Sequence, residues 1–209
     1  GPAVPSRMAK GKNTGPSFED LSTAFKSGNV KPLYFLYGEE GYLIDELQRQ
    51  AVALVPPHER DFNLSIVFGP EAQAQAVLAQ CAQFPMMAER RVVIVRGFEQ
   101  LDDNKLFTAY AEKPNPTAVV VLCCNTKPNL SHHPYRALKK HAVASEFAML
   151  KDRQLSGWVE RRFSEQGKKA ESGAAQMLAD LSGPDLRTVS GEVDKLVTYV
   201  GARGRVTRD

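Results

Sequence analysis

Gly38-Glu39-Glu40-Gly41 joins an apolar run, Leu33 to Tyr37, to a segment with helical patterning that starts near Tyr42. A strand that feeds a helix through glycines is where a nucleotide-binding protein cradles phosphates. That chemistry needs inward-pointing backbone N–H groups, a Lys on the β/γ-phosphates and a Ser or Thr hydroxyl on Mg²⁺. Here no Lys-Ser/Thr pair closes the loop, and two carboxylates stand where a polyanion would sit. We read residues Gly38, Glu39, Glu40 and Gly41 as a degenerate phosphate loop, in a protein that works by binding rather than turnover. Glu39 and Glu40 then supply favourable charge near the N-terminus of the following helix. The alternative is an active P-loop-type NTPase or nucleotide kinase with an atypical loop, which demands saturable ATP binding.

Other reactive groupings are weaker. Glu39-Glu40 has no His or further Asp at ligand spacing and makes a poor metal site. His132-His133, His141 and Cys123-Cys124 show no CxxC or HxxxH spacing for zinc. Consecutive strand residues face opposite ways, so Cys123 and Cys124 cannot line one site and read as core thiols. No Ser/His/Asp set or Gly-x-Ser-x-Gly turn is present. No catalytic residue, cofactor or metal is expected. The basic clusters Arg90-Arg91, Lys139-Lys140, Lys168-Lys169 and Arg203/Arg205/Arg208 read as solvated faces, and nothing places Arg205 at a nucleotide. A net charge of +3 is too mild for a regulator that binds DNA by itself. Three cysteines without framework spacing suggest a reducing, cytoplasmic setting. No apolar run approaches the roughly 18–20 residues of a membrane span.

These residues need a scaffold. With 43% hydrophobic and 24% charged residues, the chain has the ordinary globular balance. Residues 1–15 read as a tag remnant ahead of Met8 followed by a disordered tail, and are set aside. Phe18, Leu21 and Phe25 recur at helical spacing between a Ser17 cap and Gly28. Strands are expected at Leu33–Tyr37, Asn63–Phe68, Val92–Val95, Ala118–Leu122 and Val143–Met149. Helices are expected from Tyr42 to the Pro56-Pro57 stop, over Ala72–Cys81, near Leu101–Tyr110 and near Pro134–His141. Alternating strands and helices over 16–150 predict a parallel, layered α/β domain. The pattern then changes. Leu155, Trp158, Val159, Arg162 and Phe163 form one helix face; Ala174, Met177, Leu178 and Leu181 form another, with Ser172 as cap. Leu186, Val189, Val193, Leu196, Val197 and Val200 form a third. Residues 151–209 thus predict a small three-helix domain, with Gly201 to Asp209 trailing off without a closing element.

An α/β domain with a phosphate-loop position and a small helical lid is the plan of AAA+ ATPases. Two segments carry the likeness further: Pro32 to Ile44, and Phe84-Pro85-Met86-Met87-Ala88-Glu89-Arg90-Arg91-Val92-Val93-Ile94-Val95. With Trp158, Gly183-Pro184-Asp185-Leu186 and Glu192-Val193-Asp194-Lys195-Leu196, they resemble the delta subunit of the bacterial DNA polymerase III clamp loader, over roughly Phe18 to Val200. The resemblance implies an AAA+-like module without ATPase activity that binds the ring-shaped sliding clamp (the beta subunit) and opens it for loading onto DNA in replication. It also implies a C-terminal collar domain, missing from this chain, that joins the other clamp-loader subunits, with DNA contacted only in the assembled loader. The family's clamp contact is a pair of large apolar residues before a small residue and an arginine. Here that maps onto Met86-Met87, flanked by Phe84 and Pro85, where some members have Leu and Phe. Taken without the resemblance, Phe-Pro-Met-Met ahead of a strand suits core more often than interface. Met is flexible and polarisable enough to fill a groove of imperfect shape, and Pro85 keeps the preceding helix from extending into the tip.

Overall fold

The computed structural model describes residues 15–171, 173–182, 185–201 and 205–207. The chain divides into two compact units between Ala148 and Met149. In the first, a five-stranded parallel sheet has the order β2-β3-β4-β1-β5. Its strands are β1 (Leu33–Tyr37), β2 (Leu64–Phe68), β3 (Arg91–Arg96), β4 (Ala118–Cys124) and β5 (Val143–Glu146). Between and before them run α1 (Phe18–Ser27), α2 (Gly41–Val52), the short α3 (Arg60–Asn63), α4 (Ala74–Ala82), α5 (Phe107–Glu112) and α6 (Tyr135–His141).

The β1, β3 and β4 runs are apolar because helices cover both of their faces. On one face Leu33, Phe35, Tyr37, Val93, Val95 and Leu122 pack with Phe98, Phe107 and Leu138 in a single cluster that α4, α5 and α6 help to close. On the other, α1 brings Phe25 against Tyr34, with ring centroids 4.9 Å apart. α2 buries Ile44 and Leu47 there. Cys123 and Cys124 alternate across β4 and are both buried, because both faces of that strand are covered. β2 differs: it is an edge strand, and its Ile66 and Phe68 remain exposed.

Local chemistry sets the boundaries. Ser17 closes a capping box with Asp20, and Gly28 ends α1 in the left-handed region at φ 77°. The expected second strand loses Asn63, which finishes α3 instead. The helix expected near Leu101 starts later, at Phe107, after a 3₁₀ turn over Asn104–Leu106. The delay follows from Asp102, whose carbonyl accepts from Ala74 N–H at 3.2 Å, and from Asp103, which sits at φ 59°. The fifth strand stops at Glu146 rather than reaching Met149.

The second unit holds α7 (Asp152–Glu165), α8 (Ala174–Ser182) and α9 (Leu186–Val200). Leu155, Trp158, Val159 and Phe163 of α7 are buried, as are Leu186, Val189 and Val193 of α9. The Arg162 guanidinium lies 5.9 Å from the centre of the Trp158 ring. Two expectations change. On α8 the buried side chains are Ala174, Ala175 and Ala179, while Met177 and Leu181 are exposed. Small side chains let α7 and α8 approach closely, so the wider apolar residues turn outward. The trailing segment also gains an element: β7 (Arg205–Val206) pairs in parallel with β6 (Lys169–Ala170), and Val206 is buried. Asp185 caps α9, accepting from Arg187 N–H at 3.3 Å and from the Thr188 hydroxyl at 2.7 Å. Ser172, Gly183-Pro184, Arg203 and Arg208 lie outside the described residues.

Candidate functional site

The degenerate loop leaves the carboxyl end of β1, the position a phosphate cradle would occupy. Three of its four backbone donors point elsewhere. Gly38 N–H is directed at the carbonyls of Cys124 (3.3 Å) and Thr126 (3.2 Å). Glu40 N–H donates to Phe147 at 3.0 Å, and Gly41 N–H to Glu39 at 3.0 Å. Gly38 is needed for contact rather than for a ligand: its φ is 133°, and a Cβ there would stand 2.3 Å from the Phe147 carbonyl oxygen. Phe147 in turn donates its N–H to Tyr37 at 2.8 Å, so the chain leaving β5 fills the space over the loop. Glu40, only 6% exposed, adds a buried carboxylate at the start of α2, whereas Glu39 is exposed. Burial, with the Glu146 carboxylate nearby, pushes the Tyr37 phenol above its usual range. Beside the loop, a cavity of about 520 Å³ is lined by Asp45, Gln48, Phe68, Arg96 and Glu99 among others. Arg96 already pairs with Asp45 at 3.7 Å. Among the described residues no group of three or more His, Cys, Asp and Glu side chains is placed to hold a metal ion.

The second predicted feature lies at the other end of the sheet. It leads into the start of β3, whereas the loop leaves the end of the parallel β1, so the two are not brought together. α4 ends at Ala82, Gln83 turns to extended backbone, and Phe84 to Arg90 form a projecting turn before Arg91. Phe84 is 77% exposed, Met86 57% and Met87 97%, while Pro85 is half-buried. These exposures put Phe84, Met86 and Met87 outside the core of the first unit. Met87 has φ 51°, a left-handed conformation that costs a non-glycine residue about 1–2 kcal/mol.

Side chains that sequence reasoning missed hold this turn. Asn63, 1% exposed, accepts from Met86 N–H through Oδ1 at 2.7 Å and donates to the Met86 carbonyl through Nδ2 at 2.9 Å. Both polar groups of one tip residue are therefore taken by one buried amide. Asn115 donates to the carbonyls of Cys81 (3.0 Å) and Gln83 (3.2 Å), meeting acceptors that the end of α4 leaves unpaired. Arg91, buried, donates to the carbonyls of Gln80 (3.0 Å) and Phe62 (2.6 Å) and to the Ser65 hydroxyl (2.8 Å). Arg90 reaches the Gly28 carbonyl at 3.3 Å and Glu89 at 3.3 Å. Beneath the turn, burial pushes the Cys81 thiol up to about 12, so it stays neutral packing material. An apolar tip is thus set on a hydrogen-bonded base. Asn63 carried no signal in sequence, where it reads only as the first residue of the expected strand Asn63–Phe68.

Comparison with known proteins decides the family. The model for the DNA polymerase III delta subunit matches residues 34–148, more than half of the chain. The chain belongs to that family. It is 31% identical to the DNA polymerase III subunit delta of Bacillus subtilis, over 91% of this chain and 58% of that protein. It is 22% identical to the probable delta subunit of Aquifex aeolicus, over 92% of this chain and 57% of that one. Among solved structures, the Bacillus subtilis DNA clamp loader delta protein YqeN matches with a TM-score of 0.79 at 29% identity, covering 92% of this chain and 60% of that one. A P216G mutant of Thermotoga maritima RuvB matches at 0.51 and 17% identity, over 93% of this chain and 70% of that one, a likeness of fold alone. The chain spans less than two thirds of the length of the delta relatives it matches. Among the described residues, no helix is long and apolar enough to cross a membrane.

Proposed function

We propose that this chain is a non-catalytic clamp-loader module that binds the sliding clamp through the Met86-Met87 tip and favours the opened ring. One observation carries the reading: in a member of the delta family, two large apolar side chains stand exposed on a backbone that buried groups hold in place. Two methionines entering an apolar groove contribute about 1.5–3 kcal/mol each before ordering costs are subtracted. A tip of that strength can dominate a modest interface, with Phe84 and Pro85 at its margin. No bond chemistry is asked of the chain. If it binds the open ring more tightly than the closed one, the balance shifts by that difference in affinity.

The loop supports the non-catalytic half of the proposal. Three of the loop's backbone donors, those of Gly38, Glu40 and Gly41, are spent on the Cys124, Thr126, Phe147 and Glu39 carbonyls, and Glu40 is buried beside them. We further assign 149–209 as the lid of the module. Contacts to other loader subunits go to a collar carried by the additional length of the relatives, and DNA contact to the assembled loader, in the cytoplasm. The test is affinity for purified bacterial sliding clamp, wild type beside the double variant Met86→Ala, Met87→Ala. A loss of at least tenfold with unchanged folding supports the contact. Equal, strong binding by both would keep the function and move the contact elsewhere, and no binding by either would reject the function.

A further inference from the structure

The base of the tip has a division of labour that the tip residues alone do not reveal. Met87 presents nearly its whole surface and does so from a left-handed backbone that methionine does not favour unaided. The residue before it has its N–H and its carbonyl both bound by the Asn63 amide, at 2.7 and 2.9 Å. Asn63 is almost wholly buried and comes from a different part of the chain, the junction of α3 and β2. Its Nδ2 also lies 3.4 Å from the Glu59 carbonyl, which ties the amide back to its own helix and fixes which way it points. Hydrogen bonds to the flanking segments act at the ends of the turn, on Gln83 through Asn115 and on Gly28 through Arg90. Only the Asn63 bonds reach its middle among those the structure shows there.

We propose that Asn63 is a positioning residue for clamp recognition: it holds Met86 by both backbone groups, so that Met87 is presented in its bound geometry before the clamp arrives. This rests on the clamp-contact reading above. A turn fixed in advance loses less freedom on binding, and affinity gained that way comes from no contact with the partner at all. Asn63 itself is too buried to touch a clamp. Aspartate could accept from the Met86 N–H but has no donor for the Met86 carbonyl, and serine carries both functions only on a single oxygen, whereas the amide sets a donor and an acceptor side by side on one planar group.

The test is a double-mutant cycle on the full 209-residue chain, with affinity for purified bacterial sliding clamp measured for wild type, Asn63→Ala, Met87→Ala and the pair together. Asn63→Ala is expected to weaken binding about five- to tenfold, and to weaken it by less than twofold once Met87 is already alanine. Amide hydrogen exchange on the same proteins is the second readout. Met86 N–H should be protected in the wild type and exposed in Asn63→Ala, while the β3 amides of Val92 to Val95 keep their protection. Equal losses in both backgrounds, no loss at all, or loss of β3 protection alongside Met86 would each overturn the proposal, since each makes Asn63 a general packing residue. Asn63→Asp supplies a variant closer in shape: it keeps an acceptor for Met86 N–H and loses the donor, so binding between wild type and Asn63→Ala is expected. Wild-type binding by Met87→Ala and by the double variant Met86→Ala, Met87→Ala would instead strike at the clamp-contact reading, whatever Asn63 does.

Discussion

Truncating the two tip methionines separately should give unequal losses, in an order set by how much surface each can still surrender. Met87 is 97% exposed and Met86 57%. Alanine removes the outer three heavy atoms of methionine. At about 0.8 kcal/mol per buried methylene-sized group, that is about 2 kcal/mol when the whole side chain is newly covered. Met87→Ala should therefore raise the Kd for the sliding clamp about thirtyfold, at about 1.4 kcal/mol per factor of ten. Met86, already partly covered by its own protein, has little more than half its surface to give, so Met86→Ala should cost about 1 kcal/mol, or about fivefold. Titration calorimetry at one fixed salt concentration reads both. Melting temperatures should stay within about 2 °C of wild type, because neither side chain holds much of the core together. A Met86→Ala loss equal to or larger than the Met87→Ala loss would refute the exposure-based ordering. An unchanged Kd for both would remove the tip from the interface.

Other expectations follow from the base and the loop. Mg-ATP at a hundredfold excess over a true dissociation constant would add about 2.7 kcal/mol of stability; we expect no shift in melting temperature at millimolar Mg-ATP, and a saturable rise would restore the NTPase reading. Gly38→Ala should destabilise the first unit by about 3 kcal/mol in urea unfolding, since its Cβ would meet the Phe147 carbonyl oxygen at 2.3 Å; a wild-type midpoint would show that the loop yields. Ser17→Ala should cost about 1 kcal/mol through loss of the capping box, read by the same assay. Burial pushes the Cys81 and Cys123 thiols and the Tyr110 phenol up to about 12, from ordinary values of 9.0 for the thiols and 10.0 for the phenol. The folded state thus holds these protons more tightly than the unfolded one. Their contribution is fully present below about pH 9 and is lost as pH rises toward 12, so melting temperature should fall across that window, and a flat profile would contradict it.

Periodicity and capping chemistry made much of this legible. β1 matches its apolar run residue for residue, and α1 is bounded by Ser17 and Gly28 as those residue types dictate. The missing Lys-Ser/Thr pair was readable as an absence, but what replaced it was not. Phe147 lies far along the chain from Gly38, and only the pairing of β5 beside β1 brings its carbonyl there. Asn63 escaped for the same reason: its partner Met86 is joined to it by tertiary structure, and no local pattern encodes such a pair. On α8, helical spacing picked the face of Ala174, Met177, Leu178 and Leu181, and the turn to Ala174, Ala175 and Ala179 depended on neighbours that a single sequence does not display. β6 and β7 were too short for any periodic signal.

Strand order has a consequence for how the first unit is made. β1 is synthesised first yet lies between β4 and β5, with Leu33 opposite Val120 and Tyr34 opposite Val143. On the ribosome, a strand buried along its whole length therefore waits with both edges bare until nearly the entire unit has emerged. No subset of the early chain can settle into a finished sheet, because β1 is flanked by the two strands made last. Such long-range closure is slow, and an apolar Leu-Tyr-Phe-Leu-Tyr segment left open in the interval is an invitation to mispairing. Truncations ending before Glu146 should accordingly collect as aggregates rather than as smaller folded proteins.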